Sequence, residues 1–137
     1  MLPLVAVAVL RGLAIARETD GMEPAAIRAL VDEFNAAWGD HDLEAALALI
    51  TDDCLFDATG PAPDGIPYKG RDAVRAAWEP IFADTDANVR SEDYSFVADD
   101  RLVQLWRYDF TGGHVRGVDV IEVRDGLISA KLCYVKG

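Results

Sequence analysis

The chain has 137 residues, 51% hydrophobic and 27% charged, which suits one soluble globular domain able to bury a core and one internal pocket. Its 24 acidic and 13 basic residues give a formal net charge of −11. Such a surface repels phosphate backbones and anionic lipid and argues against nucleic-acid or membrane partners. Cys54 and Cys133 form no CxxC pair, so a structural zinc site is excluded; two buried free thiols are expected, with one disulfide as the alternative.

Residues 1–21, "MLPLVAVAVLRGLAIARETDG", read as an apolar extension, a short helix packing on the domain or on a partner. The alternative is an export signal, with Leu2 to Leu10 as its core and Ala14-Ile15-Ala16 as a cleavage site. The run is too short to span a bilayer, which takes about 20 apolar residues. The domain proper is 22–137, and a cytoplasmic location is expected unless the extension is a signal.

Ile27, Leu30, Val31, Phe34 and Trp38 recur at three- and four-residue steps, predicting an amphipathic helix over 23–38 with Pro24 in its first turn. Asp42 can cap a second helix carrying Leu43, Ala46, Leu47 and Ile50. "TDDCLFDATG" reads as a short strand entering a loop, and "GPAPDGIP" as turn material. "KGRDAVRAAWEPIF" is a third helix, with Asp72 near its start and Pro80 limiting its far end. Strands follow over about 87–98, 101–111, 114–124 and 127–135. Helices first and a meander after make the fold class α+β, with helices on one face of a curved, mostly antiparallel sheet.

Within the third of these strands, "GVDVIEVRDG" places Asp119 among Val118, Val120, Ile121 and Val123. A carboxylate in such a strand must face water, pair, or serve a cavity. The "RDG" turn admits two registers. A three-residue loop opposes Asp119 to Lys131 and Gly117 to Cys133; a two-residue Asp-Gly turn opposes Asp119 to Leu132 and turns Lys131 away. The first is favoured because it leaves Val118, Val120, Ala130, Leu132 and Tyr134 on one apolar face.

The element order, with "ALITDDCLFD", "YKGRDAVRAAW" and "RGVDVIEVRDGLI", resembles the nuclear transport factor 2-like superfamily, and within it the SnoaL-like, polyketide-cyclase-like branch, over about 23–136. The resemblance implies a conical α+β barrel with an internal pocket, and no cofactor. It does not imply one activity. Ketosteroid isomerases resemble this chain, but their base position falls on Ala58 and their oxyanion-hole tyrosine on Phe34; only the late-strand Asp is kept, as Asp119. Epoxide hydrolases of the limonene type use an Arg-x-Asp that Arg107 and Asp109 match, while the water-positioning partners fall on Phe56, Ala58 and Cys133. SnoaL-like cyclases use one Asp in a context that "GVDV" matches.

The expectation is therefore a cofactor-independent acid–base enzyme acting on a small hydrophobic carbonyl compound. Asp119 is the acid–base, Lys131 its support, and Arg107 and Asp109 are polar pocket residues; Tyr68 and His114 are further donor candidates. Phe34, Trp38, Phe56, Tyr68, Trp78, Phe82 and Cys133 are taken as ligand-binding. The alternative is a non-catalytic dimeric module binding a small apolar ligand. In that case Asp119 sits in an inter-strand ion pair that specifies register, Arg107 pairs with Asp109 at the rim, and His114 faces solvent. Trp38, Trp78 and Phe82 also fit a plain core. Trp106, Tyr108 and Phe110 are expected opposite Arg107 and Asp109, on an outer sheet face that makes a homodimer. No metal-ligand spacing is visible.

Overall fold

A computed structural model describes residues 21–137; the extension over residues 1–21 lies outside the described residues but for Gly21. Helix α1 spans Pro24–Gly39 with Pro24 in its first turn, where the missing N–H costs nothing. Its apolar positions recur at helical spacing, so Ile27, Leu30, Val31, Phe34, Ala37 and Trp38 all face the core.

Helix α2 is only Leu43–Leu47, with the Asp42 carboxylate accepting from the Ala45 N–H as its cap. It was expected to reach Ile50. Two interactions end it sooner. The Arg71 guanidinium takes the Leu47 and Ile50 carbonyls, the latter at 2.7 Å, and the Ile128 N–H donates to the Leu49 carbonyl at 2.8 Å. Ile50 thus opens strand β1, Ile50–Asp57.

After β2, Pro67–Lys69, helix α3 runs Arg71–Ala83. Pro80 lies inside α3 instead of limiting it. The ring deprives only the Ala76 carbonyl of a partner, and both residues face solvent; burial of Trp78 and Phe82 carries the helix on. Strands β3 (Asn88–Ala98), β4 (Arg101–Phe110), β5 (Gly113–Arg124) and β6 (Leu127–Val135) form the meander.

All six strands make one open, curved sheet in the order β2-β1-β6-β5-β4-β3. Only β1 and β6 run parallel. The sheet does not close, and the helices pack into its concave side. This is the expected α+β cone, open where a closed barrel would have been continuous.

The register of β5 on β6 corrects the favoured reading of the hairpin. Arg124 pairs with Leu127 and Val123 with Ile128, so the loop is the two-residue Asp125-Gly126 turn. Both residues have positive φ, 56° and 78°, as the hairpin turn matched to strand twist requires. Between Glu122 and Val123 the register then shifts by one residue, a bulge that places Ser129 outside the pairing. Beyond it Asp119 opposes Cys133, and Lys131 opposes Ile121. The bulge restores the parity that the shorter turn would have reversed. Asp119 and Lys131 therefore share the concave face as diagonal neighbours, not as the directly opposed pair that was expected.

Candidate active site

The concave face and the helices enclose a cavity of about 340 Å³. Its walls are largely apolar, with Trp38 from α1, Phe56 from β1, Tyr68 from β2, Ile81 from α3, and Trp106 and Tyr108 from β4, while Thr59, Arg90 and Ser91 also line it. Asn35, Gln104, Asp119, Lys131 and Cys133 supply its polar end.

Those five residues form one hydrogen-bonded file. The Asn35 and Gln104 side-chain amides are doubly paired: Asn35 Nδ2 donates to Gln104 Oε1 at 2.8 Å, and Gln104 Nε2 donates to Asn35 Oδ1 at 3.1 Å. The same Gln104 nitrogen donates to Asp119 Oδ2 at 3.2 Å. Lys131 Nζ donates to Asp119 Oδ1 at 3.4 Å and to Cys133 Sγ at 3.0 Å. Asp119 is 3% exposed and Lys131 8%, so this ion pair is removed from water. The ammonium also lies 4.7 Å from the centroid of Trp38 and 5.5 Å from that of Phe56, distances at which the ring faces attract a cation.

Protonation follows from these neighbours. Burial works to discharge Lys131, but the Asp119 carboxylate, joined by Cys133, outweighs it and holds the pKa above the ordinary lysine value. Lys131 is therefore an ammonium at neutral pH and not an amine nucleophile. Burial pushes the Cys133 thiol up to about 12, with Lys131 pulling the other way, and the Cys54 thiol up to about 11. Both cysteines are free and buried, as expected, and neither is a thiolate nucleophile.

An ammonium has three N–H donors and a side-chain amide two. Two donors of Lys131 and one of Asn35 are used within the file, while both Asp119 oxygens accept. The polar end of the cavity thus offers spare donors beside a carboxylate, against walls that are mostly apolar.

Asp119, Lys131, Trp38, Phe56, Tyr68 and Cys133 converge on the cavity. Arg107 and Asp109 do not. Gln104 is the direct partner of Asp119 across β4 and β5, so Gln104, Trp106 and Tyr108 share its inward face. Arg107 and Asp109, one residue out of phase, face outward. There Arg107 Nε donates to Asp109 Oδ1 at 2.9 Å, the plain rim pair. The placement of Trp106 and Tyr108 on the outer face is overturned by the same parity; Phe110 lies at the exposed end of β4. Phe34, Trp78 and Phe82 are buried in an aromatic cluster behind the cavity wall, with Phe34 and Trp78 centroids 5.7 Å apart. They are core and not ligand contacts. His114 is exposed in the β4–β5 turn region.

Asn35 and Gln104 were not singled out from sequence. Gln104 was accessible to counting: a two-residue Thr111-Gly112 turn, with Gly112 at φ 96°, puts it opposite Asp119. Asn35 carried no comparable signal, since one polar residue on a helix flank has no periodicity of its own. Among the described residues, no group of three or more His, Cys, Asp or Glu side chains is placed to hold a metal ion, and no helix is long and apolar enough to cross a membrane.

Comparison with known proteins bears on this geometry. A search among curated proteins gives no match. An NTF2-like protein of unknown function from Mesorhizobium loti is 35% identical, covering 85% of this chain and 96% of its own, with a TM-score of 0.77. A computationally designed 17-OHP binder is 26% identical over 84% of this chain and 93% of its own, with a TM-score of 0.70. A candidate polyketide cyclase from Xanthomonas campestris pv. campestris shares the fold at 18% identity, over 82% of this chain and 92% of its own, with a TM-score of 0.68. The SnoaL-like domain model matches residues 31–131, a span holding every element from within α1 through most of β6, and the chain belongs to that family, among the NTF2-like proteins.

Proposed function

We propose that the protein is a cofactor-independent acid–base enzyme acting on a small, neutral, hydrophobic carbonyl compound. One observation carries the reading: Asp119 and Lys131 are buried together at the end of an apolar cavity. Asp119 takes the proton from the carbon next to the substrate carbonyl. The Lys131 ammonium and an Asn35 N–H donate to the oxygen as it becomes an enolate.

Charge accounting supports this assignment. Before proton transfer the ammonium balances the Asp119 carboxylate; afterwards it balances the enolate, while Asp119 is neutral. The buried site gains no net charge at any point, which keeps the barrier free of a large desolvation cost. A substrate carrying its own charge would upset that balance, so a neutral one is favoured. The likeness in fold to a candidate polyketide cyclase is in keeping with this reading. Two free, buried thiols fit a reducing, cytoplasmic setting.

A second reading is a non-catalytic binder of small apolar molecules. It is favoured by the designed 17-OHP binder among the relatives and by the complete pairing of the Asp119 oxygens. In either reading we expect a homodimer through the convex sheet face, where Tyr94, Phe96 and Tyr134 are exposed.

Exchange of ketone α-protons in deuterated water, followed by NMR across a panel of cyclic and aryl ketones, separates the two. The enzyme reading expects exchange that Asp119→Asn lowers by about 100-fold or more. Ketones that bind but do not exchange would sink it in favour of the binder.

A further inference from the structure

The convex side of the sheet carries a row of cations. Arg90 pairs with Arg107 across β3 and β4, and Arg107 with Arg116 across β4 and β5. Lys136 extends the row past the end of β6, where its backbone N–H donates to the Arg116 carbonyl at 2.8 Å. Like charges directly opposed across strands repel, and only two carboxylates answer these four cations. Arg116 holds Glu92 through two bonds of 2.9 Å, and Arg107 holds Asp109 at 2.9 Å. Arg90 reaches Asp109 only at 3.9 Å. Among the described residues Lys136 makes no ion pair. The row therefore keeps an excess of positive charge on a chain whose net charge is −11. Beside it lies a groove of about 310 Å³, floored by Leu105, Val118 and Tyr134 and flanked by Glu92, Arg116 and Lys136. Leu105 pairs with Val118, and Val118 with Tyr134. Each stands two residues along its strand from Arg107, Arg116 or Lys136, so an apolar rung and a cationic rung lie side by side on one face. The continuous ladder of β4, β5 and β6 separates this groove from the inner cavity.

We propose that this groove is a second ligand site, for an amphipathic carboxylate whose chain lies along Leu105, Val118 and Tyr134 and whose head group sits on Arg116 and Lys136. Such a molecule complements both rungs at once. Its chain covers an apolar floor that leaves Tyr134 59% exposed, and its charge relieves the repulsion along the row. The groove is of a size that takes a small molecule. Glu92, on the same flank, disfavours a head group of higher negative charge, which selects a carboxylate over a phosphate ester. The inference does not depend on the chemistry of the inner cavity.

The test is titration of the full chain with octanoate and, as its uncharged match, octan-1-ol, followed by calorimetry and by amide NMR shifts. Octanoate should bind about tenfold tighter than the alcohol, shift the amides of Leu105, Val118 and Tyr134, and weaken as salt is raised. Lys136→Gln should lower octanoate affinity about threefold and leave the alcohol unchanged. Adding Arg116→Gln should abolish the preference for the acid. Both substitutions lie at exposed positions, and an unchanged circular dichroism spectrum shows that the variants are folded. Equal affinity for acid and alcohol overturns the proposal, as does a preference that survives in the double variant. Shifts confined to the inner cavity, around Asp119 and Lys131, overturn it too. So does a second copy that closes this face and leaves octanoate nothing to bind.

Discussion

Lys131→Met should destabilise the protein far more than loss of a surface charge would. The Asp119 and Lys131 side chains are 4% and 10% exposed and 3.4 Å apart. Exposed pairs are worth about 0–1 kcal/mol, whereas deleting one member of a buried pair costs about 3–5 kcal/mol because the other charge stays behind. Gln104 still donates to Asp119 Oδ2 in the variant, which places the expected loss at the lower end, about 3 kcal/mol. With a urea m-value of about 2 kcal/mol/M, the midpoint should fall by about 1.5 M. Asp119→Leu should cost somewhat less, about 2 kcal/mol, because Lys131 keeps the Trp38 and Phe56 faces. The double variant Asp119→Leu/Lys131→Met should lie within about 1 kcal/mol of wild type, since an apolar pair can replace a buried ion pair at little net cost. Urea titrations followed by circular dichroism give all four corners of the cycle. A Lys131→Met loss below about 1 kcal/mol, or a double variant as unstable as the two single losses added together, would refute the buried-pair reasoning.

The pH dependence of the same pair has a definite sign. The Lys131 pKa is raised on folding, so its contribution is fully present below the unfolded value of 10.5 and is lost only as pH rises through the folded one. Wild-type stability should therefore show no loss from Lys131 near neutrality, which urea titrations over that pH range would check. Both thiols are likewise raised, to about 11 for Cys54 and about 12 for Cys133; the folded protein should resist a thiol reagent at pH 8 that reacts twice with the guanidinium-unfolded chain. Gln104→Leu strips a donor from Asp119 and the partner from Asn35, and should cost about 2 kcal/mol in urea unfolding. Arg71→Met frees the Leu47 and Ile50 carbonyls and should cost about 1–2 kcal/mol, with faster amide exchange at Ile128, whose N–H bonds the neighbouring Leu49 carbonyl.

Most helices and strands were legible because they carry their own period; β2, three residues between turn material and a helix, has none and was not expected. Ile27 through Trp38 and the four strands of the meander could be placed within a residue or two on local pattern alone. The site depended on parity between strands, which local pattern does not encode. On β4, both "Leu102, Gln104, Trp106, Tyr108" and "Val103, Leu105, Arg107, Asp109" alternate plausibly, and the charged pair of Arg107 and Asp109 drew the assignment to the wrong face. On β5 and β6, the face shared by Asp119 and Lys131 was anticipated although the turn was not. A turn shorter by one residue and a bulge at Ser129 cancel in parity. The bulge coincides with an irregularity in the parallel pairing of β6 with β1, between Ile50 and Leu55, and nothing in the residues near the turn announces it. The aromatic cluster was over-read for a related reason: Trp38 and Trp78 share helical spacing with core residues, and only the packing decides which reaches the cavity.

An open sheet has two borders, and here both are ill suited to recruiting a strand from another copy. β2 contributes three residues beginning at Pro67, which has no N–H to offer. β3 breaks its register between Ser91 and Ser95, around Glu92 and Asp93. A short, proline-led border and a bulged, acidic one both discourage edge-to-edge growth. Any contact between copies is thereby steered toward faces and away from ladders, and either border is a poor template for a fibril.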